Sequence, residues 1–337
     1  MSEPTQNSTG RGEVRVAITG VSGDVGFGSI FGLRAGKIPC WILGLDFNDD
    51  CAGFHLCDAH QKVKPVVDPD FIGQLEGLLI EHKIQLLLCG VDSEVQLMAK
   101  WRTHLEQRTG CRIVVADEEM VRTFADKFDT TIWLEQHGLN PPNTWLCNSK
   151  STLKEFSPRL PIVAKPRHGN ASKGLHFLKT DADLERFLLS KPIDYCFQEF
   201  LEGPEYTCGL LFDSEGNLKD WMSARRELSN GQTMMAEVVD NPDIDAFILR
   251  FASQIHFRGP MNLQLKIGKD GQPKVFEVNP RLSGSTSMRI AVGFNDPARI
   301  VAHWLFDELI ERTSVRRAKI FRYLTELVVP SDAGDSA

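Results

Sequence analysis

From residue 14 to residue 116 short, largely apolar runs alternate with amphipathic stretches, and few architectures accommodate that order. The runs VRVAIT, CWILGLD, KVKPVV, IQLLLCG and CRIVVA are not apolar at every second residue only, which predicts strands buried on both faces. Stretches 70–82 and 93–108 between them have helical spacing. Together they predict a parallel α/β sheet covered by helices on both sides, a Rossmann-like unit over 13–117. The first run leads into GVSGDVG, with Gly20, Gly23 and Gly26, and Asp46 ends the second run where a ribose-binding acid would stand. Two readings are open for that turn: it cradles a nicotinamide dinucleotide, or it is scaffold.

Composition narrows the function classes. The chain has 337 residues with 42% hydrophobic and 25% charged content, enough for two domains. Its net charge of −7 gives no concentrated basic surface for nucleic acid, and the local run Arg312, Arg316, Arg317, Lys319, Arg322 reads as a solvated face. The first residues, MSEPTQNSTGRGE, lack the order of a signal peptide, and no apolar run reaches the ~18 residues a membrane span needs. The expectation is a cytoplasmic protein with loose tails over 1–12 and 331–337. Eight scattered cysteines without a CxxC pair read as reduced thiols. The patch Cys51, His55, Cys57, His60 fits no usual zinc spacing.

The pattern changes after residue 117. One helical stretch is expected over 117–137, ended by the paired prolines of GLNPPNTW. Then PIVAKPRHGNASKGLHFL reads as two strands around a polar glycine loop, YCFQEFLEGPEYTCGLLFD as two strands around a tight turn, and NLQLKIGKDGQPKVFEVN as a hairpin. Helical periodicity returns over 297–312. This half is α+β, built on antiparallel sheet.

The hairpin carries the chemistry. A two-residue turn at Asp270-Gly271 places Gln264 opposite Glu277 and Asn262 opposite Asn279, and strand alternation puts all four on one face. Such a cluster of hard oxygens with one formal charge suits Mg²⁺ and leaves positions for water and phosphate. Arg281 follows on the same face. The competing reading is an exposed polar face of an edge hairpin. Lys165 favours a site, because an ammonium in the apolar strand PIVAKP is costly unless paired with an anion. The adjoining HGNASKG loop offers backbone N–H groups to a phosphate, and Lys127 supplies a second cation.

In order along the chain, ADKFDTTIWLEQHGLNPPNT, PIVAKPRHGNASKG, FQEFLEGPEY and NLQLKIGKDGQPKVFEVNPRLSGSTSM resemble the ATP-grasp superfamily. They are most similar to its carbamoyl-phosphate-synthetase-like branch and to ATP-dependent carboxylate–amine ligases. The resemblance implies an ATP-grasp domain of two α+β subdomains over 118–330, after a Rossmann-like preATP-grasp domain. It implies that Lys127 and Lys165 contact ATP phosphates under a closing loop that includes Gly169, Ser172 and Gly174. Glu199 and Leu201 would meet adenine through backbone and Glu205 the ribose hydroxyls. Gln264, Glu277 and Asn279 would hold magnesium or manganese, and Arg281 would neutralise the transferring phosphoryl group. Arg225 and Arg226 either flank the triphosphate or cover the surface, with Arg225 favoured for the site. Ser283, Gly284 and Ser285 either bind a substrate anion at a helix start or are capping sequence.

The glycine turn most resembles that of short-chain dehydrogenases and sugar epimerases, which use a Tyr-x-x-x-Lys pair. Residues four beyond Tyr195, Tyr206 and Tyr323 are Glu199, Leu210 and Leu327, so that pair is absent. The turn is therefore expected to be scaffold, with Asp92 and Glu94 at the carboxyl end of the sheet as amine contacts or helix-start residues. The expected activity is a biosynthetic, ADP-forming ligase that phosphorylates a small carboxylate and passes the acylphosphate to an amine. Bicarbonate activation and a nucleotide- or NAD-binding protein are the alternatives. Partners are expected to be small molecules, with a homodimer implied by family habit.

Overall fold

In a computed structural model that describes residues 12–148, 152–169, 173–190 and 192–330, the alternation at the front of the chain forms a five-stranded sheet. Its strands are β1 (Val14–Thr19), β2 (Cys40–Asp46), β3 (Ala59–Lys62), β4 (Leu86–Leu88) and β5 (Arg112–Ile113), ordered β3-β2-β1-β4-β5 and all parallel. Helices α1 (Asp24–Arg34), α2 (Phe71–Glu81) and α3 (Asp92–Thr109) connect them. Both sheet faces are buried: Ala17, Leu43 and Leu87 pack in one cluster, Val16, Ile18 and Ile42 in another. The third strand lies earlier than KVKPVV suggests. Pro65 has no N–H for a ladder and restricts Lys64, so strand pairing ends at Lys62.

The stretch expected as one helix over 117–137 is two, α4 (Glu118–Ala125) and α5 (Lys127–Gln136). Asp126 separates them with extended backbone, its side chain accepting hydrogen bonds from the Phe128 and Asp129 amides. An aspartate stabilises a helix start better than a helix interior, so the break falls there. It sets Lys127 at the first turn of α5.

Next come β6 (Thr144–Cys147), α6 (Leu153–Phe156), β7 (Ile162–Pro166), β8 (His176–Leu178), α7 (Asp181–Leu189) and β9 (Tyr195–Glu199). The four strands pair antiparallel in the order β6-β9-β7-β8 over a small core of their own that includes Phe156, Leu184, Phe187 and Phe197. The rest is β10 (Glu205–Phe212), β11 (Leu218–Ser229), β12 (Gln232–Val239), α8 (Pro242–Ala252), β13 (Gly259–Ile267), β14 (Pro273–Asn279), α9 (Thr286–Ile290), α10 (Asp296–Phe306) and β15 (Lys319–Phe321). These six strands form an antiparallel sheet, β14-β13-β10-β11-β12-β15. β9 and β10 are thus not the hairpin expected from YCFQEFLEGPEYTCGLLFD. Residues 200–204 carry the chain from one sheet to the other, and that crossing makes the cleft. Helix α10 stops at Phe306, short of residue 312, because Asp307 turns left-handed at φ 54°.

Phe124, Leu134, Phe247 and Phe251 share one apolar cluster with Leu263 and Val278 of the six-stranded sheet and with Leu87 and Ile113 of the parallel sheet. The parallel and six-stranded sheets are therefore joined by continuous packing, and the four-stranded sheet stands apart with its own core.

The glycine turn is built into this joint. A Cβ on Gly26 would lie 2.5 Å from the Gly20 carbonyl oxygen and 2.6 Å from Val21 Cα. One on Gly32 would meet Pro297 of α10 at 2.7 Å. These glycines let the turn close and α1 lie against α10. Asp46, the ribose-binding acid of the dinucleotide reading, accepts hydrogen bonds from the Ser22 amide at 2.9 Å and from the Asn48 amide at 3.1 Å. Its carboxylate ties the turn together. Gly26→Ala is expected to cost about 1–3 kcal/mol of unfolding free energy by overpacking against backbone, measured by urea denaturation.

Candidate functional site

Between the four-stranded and six-stranded sheets lies a cavity of about 340 Å³, lined among others by Lys127, Lys165, Gly169, Glu199, Leu201, Glu205, Gln264 and Glu277. Residues separated by up to 150 positions in the chain converge there. Lys165, on β7, is 5% exposed and donates to Gln198 Oε1 at 2.7 Å and to the Phe276 carbonyl at 3.0 Å. Burial pushes its ammonium down to about 8, partly offset by the carboxylates of Glu277 and Glu205. Lys127 reaches the same cavity from α5 and donates to the Gly169 carbonyl at 2.7 Å.

The hairpin pairs as expected where it matters, with Gln264 opposite Glu277 and Asn262 opposite Asn279. The route differs. In place of a two-residue turn there is a loop, 268–272, closed by the Gly268 amide on Gln272 O at 2.8 Å. That loop sets Ile267 opposite Pro273, and a bulge between Gln264 and Leu265 restores the pairing beyond it. The extra residue is Phe276, whose carbonyl is the one Lys165 holds. The irregularity thus links the oxygen cluster to the buried cation.

Side-chain alternation decides between the two arginines of β11, and against the expectation. Arg225 points to the other face of the sheet, where its Nη2 donates to Glu237 at 2.5 Å. Arg226 faces the cavity: its Nε donates to Glu205 Oε1 at 2.8 Å and its Nη2 to Gln264 Oε1 at 2.9 Å. Arg226 is the cation that sequence reasoning missed, since the face is set by β10, whose Glu205 lies directly opposite. Gln198 was missed as well; it is 5% exposed and bridges Lys165 to Thr144. The Glu199 carboxylate accepts from the Asn143 amide at 3.1 Å and side chain at 3.0 Å, which holds the crossing segment in place. Lys266 donates to the Leu201 carbonyl at 3.1 Å, which pins the same segment to β13.

Asn279 and Arg281 lie beyond the lining of that cavity, past Glu277 on the side of the parallel sheet. Arg281 Nη2 donates to Asn279 Oδ1 at 3.3 Å, and its Nε and Nη2 clasp both oxygens of Asp92 at 2.5 and 2.7 Å. Asp92 is the first residue of α3. A smaller pocket of about 50 Å³ adjoins here, lined by Asp92, Lys127, Glu277 and Asn279 among others.

Ser283, Gly284 and Ser285 do not present an open anion site. The buried Arg289 donates to Ser283 Oγ at 2.7 Å and Ser285 Oγ at 3.2 Å, while Arg322 holds the Gly284 carbonyl. The helix that follows, α9, is only five residues long. Gly174 has φ 73° and packs its backbone near Pro166 and the Tyr195 hydroxyl. Ser172 lies outside the described residues. His55 pairs with Asp50 at 2.9 Å and His60 stacks on Phe54. Among the described residues no three His, Cys, Asp or Glu side chains are grouped to hold a metal.

Glu94 lies in the first turn of α3, as the helix-start reading expects, but it is buried there. It is 7% exposed and accepts from Thr19 Oγ1 at 2.5 Å, and burial pushes its carboxyl up to about 7. Between its unfolded value of 4.5 and about 7 the folded state binds the extra proton, so this group's stabilisation falls as pH rises through that window. Glu94→Gln is expected to match the wild type near pH 4.5 and to exceed it by about 2–3 kcal/mol at pH 8, in paired urea titrations.

A family model described as ATP-grasp in the biosynthetic pathway with Ter operon matches residues 193–326. Among solved structures, N5-carboxyaminoimidazole synthetase from Staphylococcus aureus complexed with ADP is similar with TM-score 0.74 and 16% identity, covering 92% of this chain and 82% of that one. The biotin carboxylase domain dimer of Hydrogenobacter thermophilus 2-oxoglutarate carboxylase, in complex with MgADP, ADP and bicarbonate, has TM-score 0.66 and 14% identity over 85% and 69%. L-amino acid ligase from Bacillus licheniformis has TM-score 0.67 and 17% identity over 87% and 74%. The resemblance to ATP-grasp enzymes drawn from sequence motifs is thus also a likeness of fold over most of the chain.

Proposed function

We propose that the cavity between the two antiparallel sheets binds Mg-ATP, and that the protein is an ATP-dependent, ADP-forming ligase acting on a small carboxylate. The observation that carries this is the convergence of Lys127, Lys165 and Arg226 with Gln264 and Glu277 around one cavity, next to Asn279 and Arg281. In this reading the carboxylate oxygen bonds to the γ-phosphorus as the bond to the bridging oxygen breaks and ADP leaves. An amine nitrogen then bonds to the acyl carbon, phosphate departs, and the amine gives up a proton. Phosphate leaves readily where an oxide does not.

The residues mainly position and neutralise. Lys127 and Lys165 hold phosphate oxygens, and the segment 199–201 offers backbone groups to the base. Glu205 takes the ribose with Arg226 fixing its carboxylate, and Arg281 offsets charge on the phosphoryl group in transfer. Gln264, Glu277 and Asn279 fit Mg²⁺ by donor chemistry: all are hard oxygens and only one is charged, so phosphate oxygens complete the shell. The amide oxygens of Gln264 and Asn279 are already turned inward, where they accept from Arg226 and Arg281. The metal would supply charge neutralisation across the β- and γ-phosphates.

The 50 Å³ pocket beside Glu277 and Asn279 has room for the reactive end of an acid, bicarbonate being the alternative acid. Among the described residues no helix is long and apolar enough to cross a membrane. We place the protein in the cytoplasm, acting on small molecules as a homodimer. The test is ADP release from Mg-ATP across a panel of acids and amines, bicarbonate included, beside thermal shifts with Mg-ATP and with NAD⁺. Stabilisation by Mg-ATP is expected; stabilisation by NAD⁺ alone would overturn the reading.

A further inference from the structure

We propose that Asp92, from the parallel-sheet half of the molecule, is a positioning residue that aims Arg281 at the phosphoryl group in transfer. The inference rests on the ligase reading above and deepens it. Arg281 is 11% exposed in its side chain, and its guanidinium meets Asp92 in a two-point fork, 2.5 Å from Nε and 2.7 Å from Nη2. Two parallel bonds fix the plane of the group as well as its place. Nη1 donates to the Leu282 carbonyl at 2.8 Å and Nη2 also to Asn279 Oδ1 at 3.3 Å. A guanidinium has five N–H donors, so the direction left for an incoming oxyanion is the second hydrogen of Nη1.

Asp92 is well placed to hold such a group still. It opens α3, a helix of 18 residues that packs Val95, Met98 and Leu105 into the core under the parallel sheet, and the positive end of that helix favours a carboxylate there. The pair crosses from the parallel-sheet half to the end of β14, 189 residues away in sequence. It therefore makes the orientation of one proposed active-site cation depend on how the two halves are docked.

The test compares wild type, Asp92→Asn, Asp92→Glu, Arg281→Met and the double variant Asp92→Asn/Arg281→Met. Calorimetry measures affinity for MgADP alone and for MgADP with aluminium fluoride, which mimics a phosphoryl group in transfer. Wild type is expected to bind the fluoride complex more tightly than MgADP. Asp92→Asn should keep MgADP affinity within about twofold and lose about 10- to 100-fold of the added tightening, with Asp92→Glu recovering part of it. The double variant should be no worse than Arg281→Met, because one residue acts through the other. The proposal is overturned if Asp92→Asn retains the tightening, if the two losses add, or if wild type binds MgADP with no tightening at all. Absence of MgADP binding by the wild type would instead remove the ligase reading itself.

Discussion

Glu277→Gln is expected to cut ATP turnover by about 10²- to 10³-fold while leaving the melting temperature within a few degrees of the wild type. The change removes one charge and almost no volume. Glu277 is half-buried on the cavity face of β14, and its partner across the ladder is an amide, so the strand pairing does not depend on its charge. Function should depend on it heavily. It is the one carboxylate in the proposed metal set, and without it Gln264 and Asn279 offer only neutral oxygens to a divalent cation. ADP release measured against rising Mg²⁺ or Mn²⁺ should show a higher metal requirement as well as a lower ceiling. Near-normal turnover at saturating metal would take Glu277 out of the mechanism.

Lys165→Ala is expected to have the second large effect, a loss of about 10²-fold or more in ATP turnover, and its pH behaviour separates it from a simple packing defect. The nucleotide-free ammonium sits near 8, pulled down by burial from 10.5. A phosphate oxygen beside it favours the charged form, so binding raises that value. Below about pH 8 the lysine is already protonated and affinity for ATP should be flat. Above it, binding requires proton uptake, and affinity should fall by about tenfold per pH unit until the bound-state value is reached. Lys165→Ala should bind weakly at every pH with no such fall. A wild-type affinity that stays flat to pH 10 would contradict this role for the group.

Several of these features are legible in the chain before any fold is known, for physical reasons that differ. The oxygen cluster follows from period-two alternation, which survives an error in the turn: a longer loop and a bulge at Phe276 compensate, and Gln264 still meets Glu277. Lys165 stands out because a charge in an apolar strand demands an explanation. The parallel sheet is readable from runs apolar on both faces. Arg226 is not readable, because Arg225 and Arg226 differ by one step of a strand, and which of them enters the cavity is fixed by a ladder partner elsewhere in the chain. The same holds for the clasp between Asp92 and Arg281, whose partners stand 189 residues apart, one at the start of α3 and the other just past β14. Runs of small polar residues mislead most: the Ser283 to Ser285 stretch looks like an anion cradle, yet Arg289, distant by four to six positions, fills it from within.

The glycine turn after β1 teaches a related point. Its spacing suits a dinucleotide, but Asp46 accepts from the turn's own amide at Ser22, and the glycines of α1 serve close contact with α10. In this structure that carboxylate's hydrogen bonds go to the Ser22 and Asn48 amides beside the turn.

The most direct test of the central claim is a crystal structure with Mg²⁺ and a non-hydrolysable ATP analogue. The base is expected against residues 199–201, the triphosphate between Lys127 and Lys165, and one divalent ion ligated by Glu277 with Gln264 or Asn279. Nucleotide bound instead on the turn between Gly20 and Gly26, with the cavity between the antiparallel sheets left open, would contradict it.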